Sequence, residues 1–323
     1  ETERESNEAM EALEKALGEA KDVAKRASTL VFGMQVEDGD KFDPTGVDVV
    51  FSATESDVAQ VQEPLFAKHV PVVSTASAFR YEEDVPLLIP NVNLDHAELI
   101  HAQRKNRGWK GFVVPIPNCT VTGLIITLKP LLDRFGLESV VVTTMQGLSG
   151  AGRSPGVIGL DILDNIIPHI SKEEEKVEKE MHKIFGTLSG TAIKPHPVVV
   201  SATCTRANVA EGHTESAFVS LGKKASVDQV KATLREFRNA AHEMKLPSAP
   251  REWIKVHDDP FRPQPRLDRN NGKGMTTTVG RVREDKVLKN GIKYMLVSHN
   301  TRMGAAAGAV LVAEYLKAKA FIS

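Results

Sequence analysis

The sequence has few cysteines and no long apolar run. Its 323 residues contain two cysteines, Cys119 and Cys204, too few for a disulfide framework and typical of proteins kept reduced in the cytosol. No apolar run approaches the length of a membrane span, and the acidic, polar residues 1–5 resemble neither a signal peptide nor a transit peptide. These absences predict a cytoplasmic protein with no membrane partner.

The sequence also lacks an excess of either charge. Its 41 Lys and Arg residues and 42 Asp and Glu residues leave a net charge of -1, so it has no overall basic character for nucleic-acid binding. Metal-ligand spacing is missing as well, because Cys204 has no second thiol and no paired histidines near it in the sequence. We therefore expect no nucleic-acid partner and no metal. The length leaves room for two medium domains or one large one.

Hydrophobic periodicity predicts two different halves. The first half has a helix, a strand and then a strand–helix–strand series at residues 8–27, 30–36, 47–52, 58–66 and 69–74. This rhythm is typical of a βαβ unit with a parallel sheet. The second half has strands at 140–145, 198–203, 217–221, 276–281 and 293–298, and helices at 173–185, 227–244 and 304–317. Strands grouped with few helices between them indicate a largely antiparallel α+β domain.

One stretch, residues 113–124, places a cysteine at a predicted strand-to-helix turn. A short apolar run ends at Pro117, and Asn118 and Cys119 then precede an apolar helix pattern. The partial positive charge of a helix N-terminus favours a thiolate over a thiol, so Cys119 is a candidate nucleophile. The alternative, from these residues alone, is a buried structural cysteine.

Four further segments carry candidate polar groups, at residues 145–152, 173–176, 206–215 and 298–308. The first is a Gly- and Ser-rich turn, which can hold an anion on its backbone N–H groups. In the second, Glu173 and Lys176 are three residues apart and share a helix face, although such a pair is also typical of a solvated surface. In the third, Arg206 offers a guanidinium for a carboxylate and His213 an imidazole for proton transfer.

In their order along the chain, these segments resemble the aspartate-semialdehyde dehydrogenase family, in its archaeal and fungal branch. The similarity extends from about Val47 to the C-terminus. It is carried by Pro117-Asn118-Cys119, Met145-Gln146, Ser149-Gly150-Ala151-Gly152, Arg206, Gly212-His213-Thr214 and the segments 164–168, 173–176, 262–269, 274–283 and 298–301.

The resemblance implies an α/β fold with two parts. The first is a parallel-sheet, Rossmann-like domain that is incomplete at its N-terminus and comprises residues 1–120 and 300–323. The second is an inserted α+β catalytic and dimerisation domain at residues 121–299. A homodimer or homotetramer is expected, because the inserted domain mediates assembly in this family.

The resemblance also implies an activity, the NADPH-dependent reductive dephosphorylation of L-aspartyl-4-phosphate to L-aspartate-4-semialdehyde. This reaction belongs to the biosynthesis of lysine, threonine and methionine. Cys119 would attack the acyl phosphate and form a thioester, which accepts hydride more readily than a carboxylate. His213 would be the general acid/base, and Gln146 would orient the acyl group.

The resemblance assigns binding roles to further side chains. Arg206 would bind the substrate α-carboxylate, and Glu173 would bind its ammonium group. Lys176 and Arg80 would bind the phosphate, and Asn118 would lie beside the substrate. The cofactor would be NADP(H), surrounded by Ser52, Ser74, Ser77, Ser149, Gly150 and Asn300.

Two features depart from the family pattern. The Gly-rich turn that places a pyrophosphate on a helix N-terminus is missing, and residues 1–35 are interpreted as a helical replacement. Ala207-Asn208 stands where the family usually has Val-Pro. Two alternatives therefore stay open: a related acyl reductase, such as a malonyl-CoA reductase, and a cofactor-deficient, non-catalytic paralogue that serves as a subunit or scaffold.

Overall fold

The computed structural model describes residues 38–39, 41–151, 158–238 and 240–323. The predicted helix at 8–27 and strand at 30–36 lie outside the described residues. The chain divides into two compact units, residues 1–43 and 44–323. Of the first unit only a few loop residues around Lys41 are described, and all the strands and helices below belong to the second.

The described residues form twelve strands and six helices of eight residues or more. The strands are β1 (Val50–Ser52), β2 (Pro71–Ser74), β3 (Phe112–Pro115), β4 (Leu137–Gln146), β5 (Ile166–Ile167), β6 (Thr187–Ser189), β7 (Ala192–Lys194), β8 (Val199–Ala207), β9 (His213–Leu221), β10 (Ile254–Val256), β11 (Thr277–Glu284) and β12 (Gly291–Ser298). The helices are α1 (Ser56–Ala67), α2 (Leu99–Arg107), α3 (Cys119–Phe135), α4 (Glu173–Ile184), α5 (Val227–Arg235) and α6 (Ala306–Ala318). Single helical turns are formed at Ile158–Asp161, Ala240–Glu243 and Pro265–Asp268.

The first sheet is a three-stranded parallel sheet with the order β1-β2-β3. Helix α1 connects β1 to β2, and α2 lies in the connection from β2 to β3. The strands are short and apolar, and Val72, Val73 and Val114 are fully buried, as expected where both faces of a parallel sheet are covered. The predicted βαβ unit is confirmed.

The second sheet has seven strands in the order β10-β11-β12-β9-β4-β8-β5. Its neighbours are antiparallel except for the pairs β10/β11 and β4/β8. Along β4, Val140 and Val142 are fully buried, whereas Val141 between them is 41% exposed. This alternation shows that one face of the sheet packs against the core and the other is open. The predicted, largely antiparallel α+β part is confirmed, and β6 with β7 forms a separate two-stranded sheet.

Helix α3 packs closely on the buried face of the seven-stranded sheet. Its Gly123 permits this approach, because a Cβ there would lie 2.3 Å from the Ser298 hydroxyl oxygen at the end of β12. Further along the helix, the Thr127 hydroxyl lies 2.8 Å from the Tyr294 hydroxyl. Helix α3 therefore begins just after β3 of the parallel sheet and packs along β12 of the seven-stranded sheet.

One predicted element is wrong. The expected helix at 227–244 is two segments, α5 and the turn Ala240–Glu243. A capping box of Ser226 and Gln229 fixes the start of α5. The apolar stripe continues through the buried Phe237 and Ala241, so hydrophobic periodicity does not reveal the break. Within the described part of the chain, no helix has the length and hydropathy of a membrane span.

The packing of α3 gives a first prediction. Leu124 is fully buried in the core, so Leu124→Ala is expected to lower the free energy of unfolding by about 2–5 kcal/mol. Val287→Ala is the matched control: this side chain is 89% exposed, and the change should stay within about 0.5 kcal/mol. Denaturant titration measures both variants, and an equal loss in the two would contradict the packing described.

Candidate active site

Four chain segments meet where β3 ends and α3 begins. Cys119 is the first residue of α3, Gln146 the last of β4, and His213 the first of β9. Arg206 lies near the end of β8. The strand register makes Gln146 the direct neighbour of both Arg206 and His213. The sheet therefore brings together side chains that are far apart in the sequence.

Cys119 and His213 form a direct pair. The Cys119 Sγ atom lies 3.2 Å from Nε2 of His213, and the histidine is fully buried. Its other ring nitrogen, Nδ1, accepts a hydrogen bond of 3.1 Å from the backbone N–H of Gly147. The ring is thus held at both nitrogens with its Nε2 edge facing the sulfur.

Burial dominates the ionisation of this pair. It raises the pKa of Cys119 to about 12, with a further contribution from the Glu173 charge, against the opposing charges of Arg80 and Arg206. The backbone hydrogen bond from Thr120 at the helix N-terminus lowers the pKa of Cys119, as expected, but burial acts in the opposite direction and is the larger effect. Burial, followed by the Arg206 charge, lowers the pKa of His213 to about 4. Both groups are neutral at neutral pH.

Asn118 fixes the start of α3. Its Oδ1 accepts hydrogen bonds from the backbone N–H groups of Thr120, at 2.8 Å, and Val121, at 3.3 Å, which is the usual side-chain cap of a helix N-terminus. Its Nδ2 donates to Oε1 of Glu173, at 2.9 Å. The residue before the cysteine thereby connects α3 to α4.

Glu173 collects donors from three chain segments. Besides Asn118, Gln146 donates through Nε2 at 3.2 Å and Lys176 through Nζ at 3.3 Å. Burial alone would raise the pKa of Glu173, but the Lys176 charge and the hydrogen bonds from Asn118 and Gln146 hold it below its usual value. Glu173 is therefore a buried carboxylate that stays ionised.

Several of these residues line one cleft of about 400 Å³. Of the predicted residues, Cys119, Glu173, Lys176 and Arg206 line it together with Asn118 and Gly150. Ala151, Ile167, His169, Ile170 and Ser171 complete the lining. The cleft therefore combines a thiol with one carboxylate and two cationic side chains.

Arg80 lies elsewhere. Its Nη1 donates to Oε1 of Glu180 at 2.9 Å, and its Nη2 donates to the Thr75 carbonyl at 3.0 Å. The guanidinium is 6% exposed and does not line the cleft; its contact with phosphate stays a prediction. Glu180 also accepts from the Asn118 backbone N–H, at 2.6 Å. Arg80 thus supports the turn before Cys119 through Glu180.

The predicted cofactor residues fall into two groups. Asn300 accepts from the Gly212 backbone N–H and donates to the Ser149 hydroxyl, both at 2.9 Å. The adjacent Gly150 packs on the His213 ring, because a Cβ there would lie 3.0 Å from Cε1 of His213. Ser149, Gly150 and Asn300 therefore border the cysteine–histidine pair.

The other group lies at the carboxyl ends of β1 and β2. Ser52 ends β1, and Ser77 follows β2, where its hydroxyl lies 2.7 Å from that of Ser56. Ser74 is fully buried and donates to Glu63, and its contact with the cofactor stays a prediction. Its hydroxyl is used to fix the loop that follows β2, by accepting from the Ala76 N–H.

Sequence reasoning missed two groups of this site. Glu180 is seven residues after Glu173, on the same face of α4, and this spacing could have revealed it. Gly147 contributes through its main chain, which donates to His213 and accepts from Nη1 of Arg206 at 2.9 Å. No side-chain signal can indicate such a backbone role.

Comparison with known proteins agrees with this geometry. A family model described as "Semialdehyde dehydrogenase, dimerisation domain" matches residues 128–303, and "Semialdehyde dehydrogenase, NAD binding domain" matches residues 8–100. The aspartate-semialdehyde dehydrogenase of Methanothermobacter thermautotrophicus is 45% identical over 88% of this chain and 81% of its own length. The chain belongs to the aspartate-semialdehyde dehydrogenase family.

Two more members illustrate how far the similarity extends. The aspartate-semialdehyde dehydrogenase of Archaeoglobus fulgidus is 48% identical over 85% of this chain and 78% of its own length. The crystal structure of the aspartate-semialdehyde dehydrogenase of Candida albicans with NADP superposes with a TM-score of 0.76 at 43% identity, covering 85% of this chain and 79% of that one. Both the sequence and the fold are therefore those of this family.

The family match also bears on the N-terminal segment. The NAD-binding-domain model begins to match at residue 8, within the segment interpreted above as a helical replacement. That interpretation is not supported for residues 8–35.

The buried histidine gives a prediction for stability. The pKa of His213 is about 4, below the ordinary value of 6.5, so between these pH values the unfolded chain binds more protons than the folded one. The contribution of neutral His213 to the free energy of unfolding is therefore fully present above pH 6.5 and is lost as the pH drops towards 4. His213→Gln should reduce this acid-induced loss by about 1–3 kcal/mol, measured by denaturant titration at neutral and acidic pH. An unchanged loss in the variant would contradict a neutral, buried His213.

Proposed function

We propose that this protein is an NADPH-dependent aspartate-semialdehyde dehydrogenase that converts L-aspartyl-4-phosphate to L-aspartate-4-semialdehyde and phosphate. The observation that carries the proposal is the Cys119–His213 contact of 3.2 Å beside the cleft that Cys119 lines together with Arg206, Glu173 and Lys176. The same reaction places the protein in the biosynthesis of lysine, threonine and methionine, and we place it in the cytoplasm.

The charges of the cleft support this substrate. L-Aspartyl-4-phosphate carries an α-carboxylate, an ammonium group and a phosphate. Arg206 matches the carboxylate, the ionised Glu173 matches the ammonium group, and Lys176 matches the phosphate. Charge-assisted hydrogen bonds to such groups are stronger than neutral ones, so three matched pairs would fix the acyl carbon over Cys119. Asn118 lines the same cleft and Gln146 holds Glu173.

The chemistry we assign to the chain's residues proceeds through a thioester. The Cys119 sulfur forms a bond to the acyl carbon, and the bond from that carbon to the phosphate oxygen breaks, with the electron pair and the thiol proton leaving on phosphate. After hydride addition, the carbonyl oxygen carries the negative charge. The carbonyl re-forms as the carbon–sulfur bond breaks, which releases the aldehyde and returns the thiolate. His213 donates a hydrogen bond or a proton at its Nε2 edge.

When bound, NADPH supplies the hydride. The donor set fits a dinucleotide, since hydroxyls and backbone groups gather at the carboxyl ends of parallel strands, where such ligands bind in open α/β sheets. Ser52 and Ser77 lie at that edge, and Ser149, Gly150 and Asn300 border Cys119 and His213. We propose that residues 1–120 and 300–323 form the cofactor-binding part and residues 121–299 the catalytic and dimerisation part.

The match to a dimerisation domain supports an oligomer, and we propose a homodimer or a homotetramer. The open face of the seven-stranded sheet offers the contact surface. Val141 and Val199 are 41% and 68% exposed on adjacent strands, and Phe218 is paired with Val141 on the other side. A partner sheet on this face would bury these apolar side chains. Light scattering separates the two assemblies.

The two alternative functions lack an observation in their favour. Ala207, which raised the question of another acyl group, is buried and alternates along β8 with Arg206, so its side chain does not face the cleft with that of Arg206. Malonyl-CoA as the acyl donor tests the first alternative. NADPH titration by calorimetry tests the second, because a cofactor-deficient subunit would bind none.

The two cysteines provide a direct test of the nucleophile. Cys119→Ala should lower kcat/KM for phosphate-dependent NADP reduction by L-aspartate-4-semialdehyde at least about 10³-fold, because the covalent step is lost. Cys204→Ala is the control: this thiol is fully buried in the core, so activity should change little. Retained activity in Cys119→Ala, or equal losses in both variants, would overturn the assignment.

A further inference from the structure

Two turns border the cysteine and the histidine of the site. The β8–β9 turn, residues 208–212, leads directly into His213. The β12–α6 turn, residues 299–305, packs on the start of α3, because a Cβ at Gly304 would lie 2.7 Å from the Cβ of Cys119. Hydrogen bonds between these two turns therefore affect the geometry of the site.

Asn300 forms one connection between the turns. Its Oδ1 accepts a hydrogen bond from the Gly212 N–H, and its Nδ2 donates to the Ser149 hydroxyl, both at 2.9 Å. The Ser149 N–H donates in turn to the Ala210 carbonyl at 3.1 Å. The position of Ser149, which we propose as a cofactor residue, thus depends on both turns.

Glu211 forms a second connection between the turns. Its Oε1 accepts a hydrogen bond from the Thr301 hydroxyl at 2.5 Å, and its Oε2 lies 3.6 Å from Nε2 of His299. The main chain of Glu211 is held as well, because its carbonyl accepts from Nη1 of Arg269 at 2.9 Å. Hydrogen bonds to a carboxylate are stronger than those between neutral groups. One carboxylate therefore contacts the residues on both sides of Asn300.

The Thr301 hydroxyl is the main contact of this carboxylate at neutral pH. Burial lowers the pKa of His299 most; the Glu211 charge opposes this effect, and the charges of Arg302 and Arg269 lower the pKa further. Since the pKa lies below its ordinary value of 6.5, the ring is neutral and does not form an ion pair with Glu211. The bond from Thr301 should therefore respond most to substitution of Glu211.

We propose that Glu211 is a positioning residue for NADP(H) binding. By contacting Thr301 and His299 it fixes the backbone of Asn300, and the Asn300 amide then holds Ser149. This inference rests on the proposed function, in which Asn300 and Ser149 belong to the cofactor side of the site. A side chain that is held in place before the ligand arrives binds it more tightly, because less conformational freedom is lost on binding.

Other contacts hold the substrate side of the site. Glu173 and Lys176 lie on α4, and Arg206, near the end of β8, donates to the Gly147 carbonyl at 2.9 Å. Loss of the Glu211 carboxylate should therefore weaken the binding of NADP(H) and leave the binding of L-aspartate-4-semialdehyde nearly unchanged. A general loss of structure would weaken both.

Steady-state kinetics separate the two sides. In phosphate-dependent NADP reduction, Glu211→Ala should raise KM for NADP at least about tenfold, as expected for the loss of a hydrogen bond to a charged group, with KM for L-aspartate-4-semialdehyde within about twofold of the parent value. Glu211→Gln should recover most of this loss, because its amide oxygen can still accept from the Thr301 hydroxyl. An unchanged KM for NADP, equal increases in both KM values, or no recovery in the Gln variant would overturn the proposal.

Calorimetric titration with NADPH measures the same effect without turnover. Thr301→Val removes the hydroxyl from the bond to Glu211, so its dissociation constant should rise at least about tenfold, as in Glu211→Ala, whereas Thr301→Ser keeps the hydroxyl and should bind like the parent. Glu284→Ala, at an exposed position at the end of β11, is the control and should also bind like the parent.

The titration distinguishes this inference from the proposed function. Parent-like NADPH binding in both Glu211→Ala and Thr301→Val would overturn the role of Glu211 alone. A parent chain that binds NADPH but does not turn over L-aspartate-4-semialdehyde would overturn the proposed function, and the comparison of variants would still decide whether Glu211 positions the cofactor side.

Discussion

The site depends on the hydrogen bonds that the Glu173 carboxylate accepts. It lies at the start of α4 and accepts hydrogen bonds from Asn118, at the start of α3, and from Gln146, at the end of β4. Lys176, one helical turn further along α4, pairs with its other oxygen. One buried charge thus connects α3, which begins at Cys119, with the strand next to His213 and with a cationic side chain of the cleft. Removal of that charge would take the shared carboxylate partner from Asn118, Gln146 and Lys176.

A second buried carboxylate supports the same turn from behind. Glu180 binds the Arg80 guanidinium with one oxygen and the Asn118 backbone N–H with the other. α4 therefore holds the residue before Cys119 at two points, by its side chain through Glu173 and by its main chain through Glu180. Burial of a charged side chain is costly unless the charge is paired. Here the partners of Glu173 and Glu180 lie on the segments that form the site. This rigidity suits a reaction that needs the acyl carbon held over one sulfur atom.

The sequence was sufficient for the βαβ and α+β patterns, for the family and for the contact partners Cys119 and His213. Cys119, Gln146, Arg206 and His213 lie on segments whose motifs are local, and the structure brings them together. The misses have a common cause, since they depend on contacts across the fold. Glu180, which accepts a hydrogen bond from Arg80, and the burial that raises the pKa of Cys119 were not predicted, and neither depends on a local pattern.

The remaining misses depend on the main chain and on continuous patterns. Gly147 acts through its N–H, which every residue but proline has, so its role is visible only in its distance to His213. The break after α5 lies within an unbroken apolar stripe, because both flanking segments pack into the same core. Hydrophobic periodicity records burial and not the continuity of a helix.

The central claim is that Cys119 accepts the aspartyl group as a thioester. Mass spectrometry of the protein mixed with L-aspartyl-4-phosphate, in the absence of NADPH, tests this most directly. The account predicts one aspartyl group on the peptide that contains Cys119, with one phosphate released for each group attached and no adduct in Cys119→Ala. Phosphate release without an adduct, or an adduct on another residue, would contradict it.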